Sequence, residues 1–145
     1  MQPGVGFIAS GTAVMKTINQ YESSEFTLEE LRGIKGSRKI IVVFSTFGER
    51  EASLIHDKIR ILRSGLGEFI DWILVSHRRS GESEDATERR AREAWDGSEI
   101  LICNSCAVPD MGNEKGKGAD MRRALYHINT ACVKGADPRD VIVVF

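Results

Sequence analysis

The sequence has almost no excess of either charge and no long hydrophobic run. Its 145 residues include 20 Lys and Arg against 21 Asp and Glu, a formal net charge of −1, whereas a general nucleic-acid binder carries a basic excess. The longest apolar stretches, 40–44 and 141–145, are far too short to cross a bilayer. The first ten residues lack the basic and apolar segments of a secretory signal. We therefore expect a cytoplasmic protein without a membrane span that does not bind nucleic acid.

Cysteine and histidine are also scarce, with three of each. Cys103 and Cys106 form a C-x-x-C pair, but we expect Cys103 at the end of a buried strand and a loop after Cys106, where no helix start lowers a thiol pKa. Cys132 alone does not supply the second ligand pair of a structural zinc site. The sequence therefore leaves a small redox protein as an alternative, and we assign no metal site. A lone histidine such as His77 is expected at the surface.

Hydrophobic runs alternate with amphipathic segments from residue 38 onward. The runs 40–44, 72–75, 99–103 and 141–145 predict buried strands. Apolar residues at helical spacing predict helices over 49–63, 83–95 and 117–133. Strands that alternate with helices form parallel βαβ units. The sequence thus predicts an α/β fold, an open and mostly parallel sheet with flanking helices.

Several details of this fold follow from local patterns. Thr27 begins a short helix, and Ser83 is expected to cap the helix before residue 95. We interpret residues 1–37 as an N-terminal arm or lid and residues 38–145 as the α/β domain, which looks truncated after its fourth strand. The residues predicted to face the core from two of the helices are Leu54, Ile55, Ile59 and Leu62, and Met121, Leu125, Ile128 and Cys132.

Ligands of open parallel sheets bind beyond the carboxyl ends of the strands. One polar stretch there ends in Gly116, Lys117 and Gly118, which open the last predicted helix. Glycines admit a ligand to the backbone amides and the lysine adds positive charge, so this segment predicts a phosphate or diphosphate site. A solvated basic loop is the alternative interpretation. It is not a Walker A loop, because Gly118 stands where a Ser or Thr would hold magnesium.

Two other stretches at the carboxyl ends of the strands each supply a candidate nucleotide-binding residue. Glu49 follows the first strand, where a carboxylate can accept hydrogen bonds from ribose hydroxyls; complementing the dipole of the next helix is the other interpretation. Ser76 follows the second strand and is placed to face a base, with Arg78 and Arg79 beside it to contact phosphates.

Together, these three segments at the ends of the predicted strands resemble the nucleotide-sugar-binding half of GT-A type glycosyltransferases. That half has a Rossmann-like fold. The nearest likeness is to retaining enzymes that make glucosyl- or mannosyl-3-phosphoglycerate, and more loosely to family 2 glycosyltransferases. It implies transfer of a hexose from a nucleotide-diphosphate sugar to a small acceptor such as a phosphoglycerate. The segments that carry it are Phe47-Gly48-Glu49-Arg50, Val75-Ser76 and Gly116-Lys117-Gly118-Ala119-Asp120-Met121.

The resemblance also implies roles and partners. Glu49 would contact the nucleoside, Ser76 the base, and Lys117 with its flanking glycines the nucleotide or its diphosphate. An Asp-x-Asp motif that holds Mg²⁺ or Mn²⁺ follows the fourth strand in the family, and this sequence ends at that point with Phe145.

Two kinds of partner follow from this: a complementary polypeptide that carries the C-terminal half, and a second copy of the chain. Residues 45–48 replace the usual Pro-x-x-Asn, which leaves the donor base open. A stand-alone nucleotide- or phosphate-binding module without transferase activity is the alternative.

Overall fold

Four parallel strands form one open sheet in the order β3-β2-β1-β4. They are β1 (Lys39–Phe47), β2 (Trp72–Arg78), β3 (Glu99–Ile102) and β4 (Val141–Val144). The structure, a computed structural model, describes residues 22–145, so most of the predicted arm lies outside the described residues. The predicted α/β fold with an open parallel sheet is confirmed; the domain boundary at residue 38 stays a prediction.

The described residues form four α-helices. They are α1 (Leu28–Lys35), α2 (Ala52–Leu66), α3 (Ala86–Ala94) and α4 (Lys117–His127). Of these, α4 covers one face of the sheet and α2 and α3 cover the other, whereas α1 has no buried residue. A 3-10 turn over Glu49–Glu51 leads into α2, and a π-helical turn over Ile128–Cys132 continues α4. Within residues 22–145, none of the helices has the length and hydropathy that crossing a bilayer requires.

Side chains of β1 and β2 alternate between two apolar layers. Ile41 and Val43 of β1 pack with Leu74, Leu101, Ala124 and Ile128 beneath α4. On the other face, Val42 and Phe44 pack against a cluster from α2, α3 and β2. Because successive strand residues point to opposite faces, these apolar runs bury both faces of the sheet centre.

Capping residues fix two of the helix starts. Thr27 caps α1 in a reciprocal capping box with Glu30, which confirms the predicted start of that helix. The expectation for Ser83 is wrong, since Asp85 caps α3: its side chain accepts hydrogen bonds from the amides of Thr87 at 2.9 Å and Glu88 at 3.3 Å. The Asp85-x-x-Glu88 pattern is itself a capping box, and a carboxylate in this position also complements the helix dipole.

The inward face of α4 is partly polar, contrary to expectation. Leu125 is 46% exposed, whereas Asp120 and Arg123 are buried beside Ala124. The buried charges pair with each other and with β2, so their burial is compensated. On α2 the prediction holds for Ile55 and Ile59, while its Leu54 is exposed and Leu62 is only partly buried.

Candidate functional site

The carboxyl end of β1 and the start of α4 border an open cleft of about 500 Å³. A second cleft of about 590 Å³ shares Ser45 and Lys117 with it and continues over apolar side chains toward Phe145. Lys117 therefore lines both clefts. The residues that line the first cleft are Ser45, Thr46, Phe47, Glu51, Arg78, Lys115, Gly116, Lys117 and Asp120.

The start of α4 is built to leave its amide end open. Gly116 has a φ of 108°, which L side chains rarely adopt, and no side chain caps the helix behind it. Lys117 is exposed as the first residue of the helix. The unpaired amides of a helix start and a lysine ammonium both attract anions, so this corner of the cleft favours a phosphate group.

A buried ion-pair network forms the floor of the cleft. The Asp120 carboxylate accepts hydrogen bonds from Arg78, with Nε at 3.0 Å, and from Nη1 of Arg123 at 3.2 Å. Arg123 also donates to the carbonyls of Cys106 at 3.1 Å and Glu114 at 2.7 Å. The Asp120 carboxylate thus ties β2 to α4, Arg123 ties the preceding loop to α4, and the guanidinium of Arg78 is engaged inside the protein.

His77 is fully buried beside this floor, so the expectation of a surface position is wrong. Its Nδ1 lies 2.9 Å from Oγ1 of Thr46 and its Nε2 lies 2.8 Å from Oδ2 of Asp85. The strand β2 continues to Arg78, beyond its apolar run, and the pleat turns His77 inward. Hydrogen-bond partners on both ring nitrogens compensate for this burial.

Arg79 is held in the same region by a bidentate ion pair. Its Nε and Nη2 atoms donate to the two carboxylate oxygens of Glu88 at 2.5 and 2.7 Å. This pair and the His77–Asp85 pair join the end of β2 to the start of α3. Both arginines that the sequence offers for phosphate contacts are therefore bound to carboxylates.

The stability of this junction is expected to depend on pH. Burial raises the pKa of Asp85 and of Glu88, but hydrogen bonds from His77, Arg79 and the α3 amides outweigh it, so both pKa values lie below the ordinary 3.8 and 4.5. The unfolded chain then binds protons more readily than the folded one, and stability rises with pH in this range. We expect the urea midpoint to fall as the pH drops from about 5 to about 2.

The matched measurement uses the double variant Asp85→Asn, Glu88→Gln, which is less stable at neutral pH. Its urea midpoint should change less over the same acid range, because two of the titrating groups are absent. An equal acid dependence in both proteins would mean that these carboxylates do not govern acid unfolding.

The structure brings two of the five predicted site residues to the cleft. Gly116 and Lys117 line it, whereas Gly118 lies one position into α4 without lining it. Glu49 is exposed and turned toward α3, where its Oε1 accepts from the amide of Ala86 at 3.4 Å. Ser76 is buried; its hydroxyl donates to the Asp120 carbonyl at 3.2 Å and lies 3.1 Å from Sγ of Cys103. The ligand contacts assigned to all five stay predictions.

Glu51 and Asp120 are two cleft carboxylates that were not predicted from the sequence as site residues, and Glu51 is the one without an arginine partner among the described ion pairs. It lines the cleft and accepts a hydrogen bond from the amide of Phe47 at 3.3 Å. The sequence places two glutamates at this corner, and the 3-10 turn decides which of them faces the cleft. That turn has no apolar periodicity that would have indicated it.

The thiols of the C-x-x-C pair are poorly suited to redox chemistry. Burial raises the pKa of Cys103 to about 11, and burial also raises the pKa of Cys106. A redox-active pair needs a thiolate at neutral pH. The environment of both thiols therefore argues against the redox alternative.

This arrangement of sheet and cleft has counterparts among solved structures, although no protein-family model and no curated protein matches the chain. The chain is similar in fold to part of a GT-A glycosyltransferase. That enzyme is glucosyl-3-phosphoglycerate synthase from Mycobacterium tuberculosis, with a TM-score of 0.53 and 28% identity over 69% of this chain and 34% of that one.

Two complexes of the same enzyme match in the same way. The complex with phosphoglyceric acid has a TM-score of 0.52 and 28% identity, over 70% of this chain and 33% of that one. The complex with Mn²⁺, uridine diphosphate and glucosyl-3-phosphoglycerate has a TM-score of 0.54 and 26% identity, over 73% and 35%. The chain thus spans about a third of the length of the solved structures it resembles.

Proposed function

We propose that this chain is the donor-binding part of a glycosyltransferase, which transfers a hexose from a nucleotide-diphosphate sugar to a small acceptor such as a phosphoglycerate. The observation that carries the proposal is the Gly116–Lys117 start of α4, which faces the carboxyl end of β1 across the cleft in a fold similar to that of glucosyl-3-phosphoglycerate synthase. Solved structures of that enzyme contain UDP-glucose and Mn²⁺.

In this proposal the donor diphosphate binds at the start of α4. The Lys117 ammonium and the uncapped amides of the helix start neutralise the diphosphate charge. The position of a Cβ on Gly118 is empty of other atoms, so packing within the described residues does not demand glycine there. Close approach of a ligand to the backbone supplies a reason for it.

The nucleoside of the donor is proposed to bind at the carboxyl ends of β1 and β2. Glu49 is proposed to accept hydrogen bonds from the ribose, which requires its carboxylate to turn away from the Ala86 amide. The contact at 3.4 Å is long for a hydrogen bond to a carboxylate, so little holds Glu49 in place. Ser76 is proposed to contact the base, which requires its buried hydroxyl to leave the Asp120 carbonyl and become accessible to the ligand.

The divalent metal that the resemblance implies is not accommodated by the cleft residues alone. Among the described residues that line it, Glu51 and Asp120 are the carboxylates, and Asp120 is already paired with two arginines. Mg²⁺ and Mn²⁺ prefer several oxygen ligands. The ligands are instead proposed on an Asp-x-Asp motif outside this chain, carried by a complementary polypeptide or by a longer form of the protein.

Calorimetric titration with UDP-glucose, UDP and GDP-glucose tests donor binding. We expect at least one of them to bind, and Lys117→Met to weaken that binding about 10- to 100-fold, the effect of losing a charged hydrogen bond of ~1.5–3 kcal/mol. Lys134→Met is the matched control, since this exposed lysine follows the π-helical turn at the other end of α4. If no nucleotide binds, or both variants bind like the parent chain, the proposal is wrong.

Turnover separates the transferase from the alternative of a stand-alone binding module. The chain is combined with a polypeptide that supplies the C-terminal part of a glucosyl-3-phosphoglycerate synthase, with Mn²⁺, UDP-glucose and phosphoglycerate. Formation of glucosyl-phosphoglycerate supports the transferase. Nucleotide binding without any transfer, in a mixture shown to form a complex, favours the binding module.

A further inference from the structure

Three metal-ligating side chains converge at the edge of the sheet opposite the cleft. They are Glu99, the first residue of β3, His127, the last residue of α4, and Cys132, the last residue of the π-helical turn. Their ligand atoms all lie within 4.8 Å of one another. One carboxylate oxygen of Glu99 is bonded to Nε2 of His127, and the other lies 3.5 Å from Sγ of Cys132.

The π-helical turn is what brings His127 and Cys132 together. In an α-helix of 3.6 residues per turn, two residues five apart point in directions about 140° apart. Here the amide of Val133 donates to the carbonyl of Ile128 at 3.0 Å, five residues back, so the wider turn reduces that angle. Single π-helical turns within α-helices occur frequently at functional sites.

From this geometry we propose that Glu99, His127 and Cys132 form a binding site for Zn²⁺ or a similar transition-metal cation. Thiolate sulfur, imidazole nitrogen and carboxylate oxygen are the ligands that zinc prefers, at about 2.0–2.3 Å. Three protein ligands leave the fourth tetrahedral position to water. The side chains of His127 and Glu99 are 24% and 34% exposed, so an ion can enter from solvent.

Coordination exchanges the present hydrogen bonds for metal bonds. The thiol of Cys132 now donates to Glu99, and its proton is released to solvent when sulfur binds the metal. Nε2 of His127 now donates its hydrogen to Glu99, so this proton moves to Nδ1 or is released to solvent when the Nε2 lone pair binds the metal. The contact between His127 and Glu99 opens to make room for the ion.

A second cluster of suitable residues lacks these properties. His77, Asp85 and Glu88 also place their ligand atoms within 4.8 Å of one another, but all three are buried. Both ring nitrogens of His77 have partners, and Arg79 occupies both carboxylate oxygens of Glu88. That cluster is closed, whereas the Glu99 cluster faces solvent.

Titration of the tag-free, metal-free chain with Co²⁺ tests the site, because a cobalt–thiolate bond gives a charge-transfer band in the near ultraviolet. We expect the band to saturate at one equivalent and to disappear when Zn²⁺ is added. It should be lost in Cys132→Ser, weakened at least about tenfold in affinity in Glu99→Gln, and kept in the control Cys106→Ser. Absence of the band in the parent chain, or its persistence in Cys132→Ser, would overturn the proposal.

Thermal unfolding with Zn²⁺ distinguishes a variant that has lost the metal site from one that folds poorly. Zn²⁺ should raise the Tm of the parent chain and of Cys106→Ser, since binding to the folded state alone stabilises it. It should leave the Tm of Cys132→Ser unchanged, provided that this variant keeps the far-ultraviolet circular dichroism of the parent. An equal rise in all three proteins would place the metal elsewhere and contradict the assignment.

Discussion

Replacing Asp120 by asparagine is expected to lower the free energy of unfolding by about 3–5 kcal/mol. Asp120 is 6% exposed, and its one carboxylate binds the guanidinium groups of Arg78 and Arg123. Asparagine has nearly the same shape but no charge, so two buried or nearly buried cations lose their counter-ion. Removing one partner of a buried ion pair costs far more than the pair contributes, because the remaining charge is left uncompensated.

Asp137→Asn is the matched control for this variant. Asp137 also pairs with an arginine, Arg139, but their side chains are 39% and 88% exposed, and solvent-exposed ion pairs contribute little to stability. Asparagine also keeps the ability of this position to cap the following turn, where Asp137 accepts from the Arg139 amide. Urea unfolding measures both changes; equal losses in the two variants would contradict the account of the cleft floor.

Ile59→Ala is expected to cost about 2–5 kcal/mol of unfolding free energy. Ile59 is 0% exposed in the apolar layer that α2 and α3 form against the sheet. Truncation removes buried apolar surface and leaves a cavity that the neighbouring side chains fill only in part.

Ile61→Ala, on the same helix, serves as the comparison. Ile61 is 69% exposed, and its truncation should change stability by about 0.5 kcal/mol or less. Both values come from urea unfolding. Similar losses at the two positions would mean that α2 is rotated from the orientation described here.

The alternation of apolar runs and amphipathic segments was enough to predict the sheet and its helices, because that pattern is local. The outer parts of β1 and β2 were not predicted because Thr46 and His77 are polar; the hydrogen bond between them across neighbouring strands compensates for their burial. The polar inward face of α4 depends on an ion pair between residues 42 positions apart. Such partners are set by tertiary packing, which a local pattern does not contain.

The residues of the candidate site likewise include some that a local sequence pattern predicts and others that depend on the fold. Gly116 and Lys117 were predicted because a glycine–lysine segment before a helix has a direct physical meaning. The choice between Glu49 and Glu51 depends on a short 3-10 turn. The cluster of Glu99, His127 and Cys132 was not predicted because Glu99 is 28 and 33 residues from its partners, and because an α-helical spacing does not bring His127 and Cys132 to one side.

The most direct test of the central claim is residue-resolved chemical-shift mapping by NMR on the ¹⁵N-labelled chain with UDP-glucose. The claim is that the cleft between the end of β1 and the start of α4 binds the diphosphate of a nucleotide sugar. It predicts that the largest amide shifts fall on residues 45–47 and 115–118, and that Lys117→Met needs about 10- to 100-fold more nucleotide to reach them. Absence of shifts at saturating nucleotide, or shifts confined to the opposite edge around Glu99 and Cys132, would contradict it.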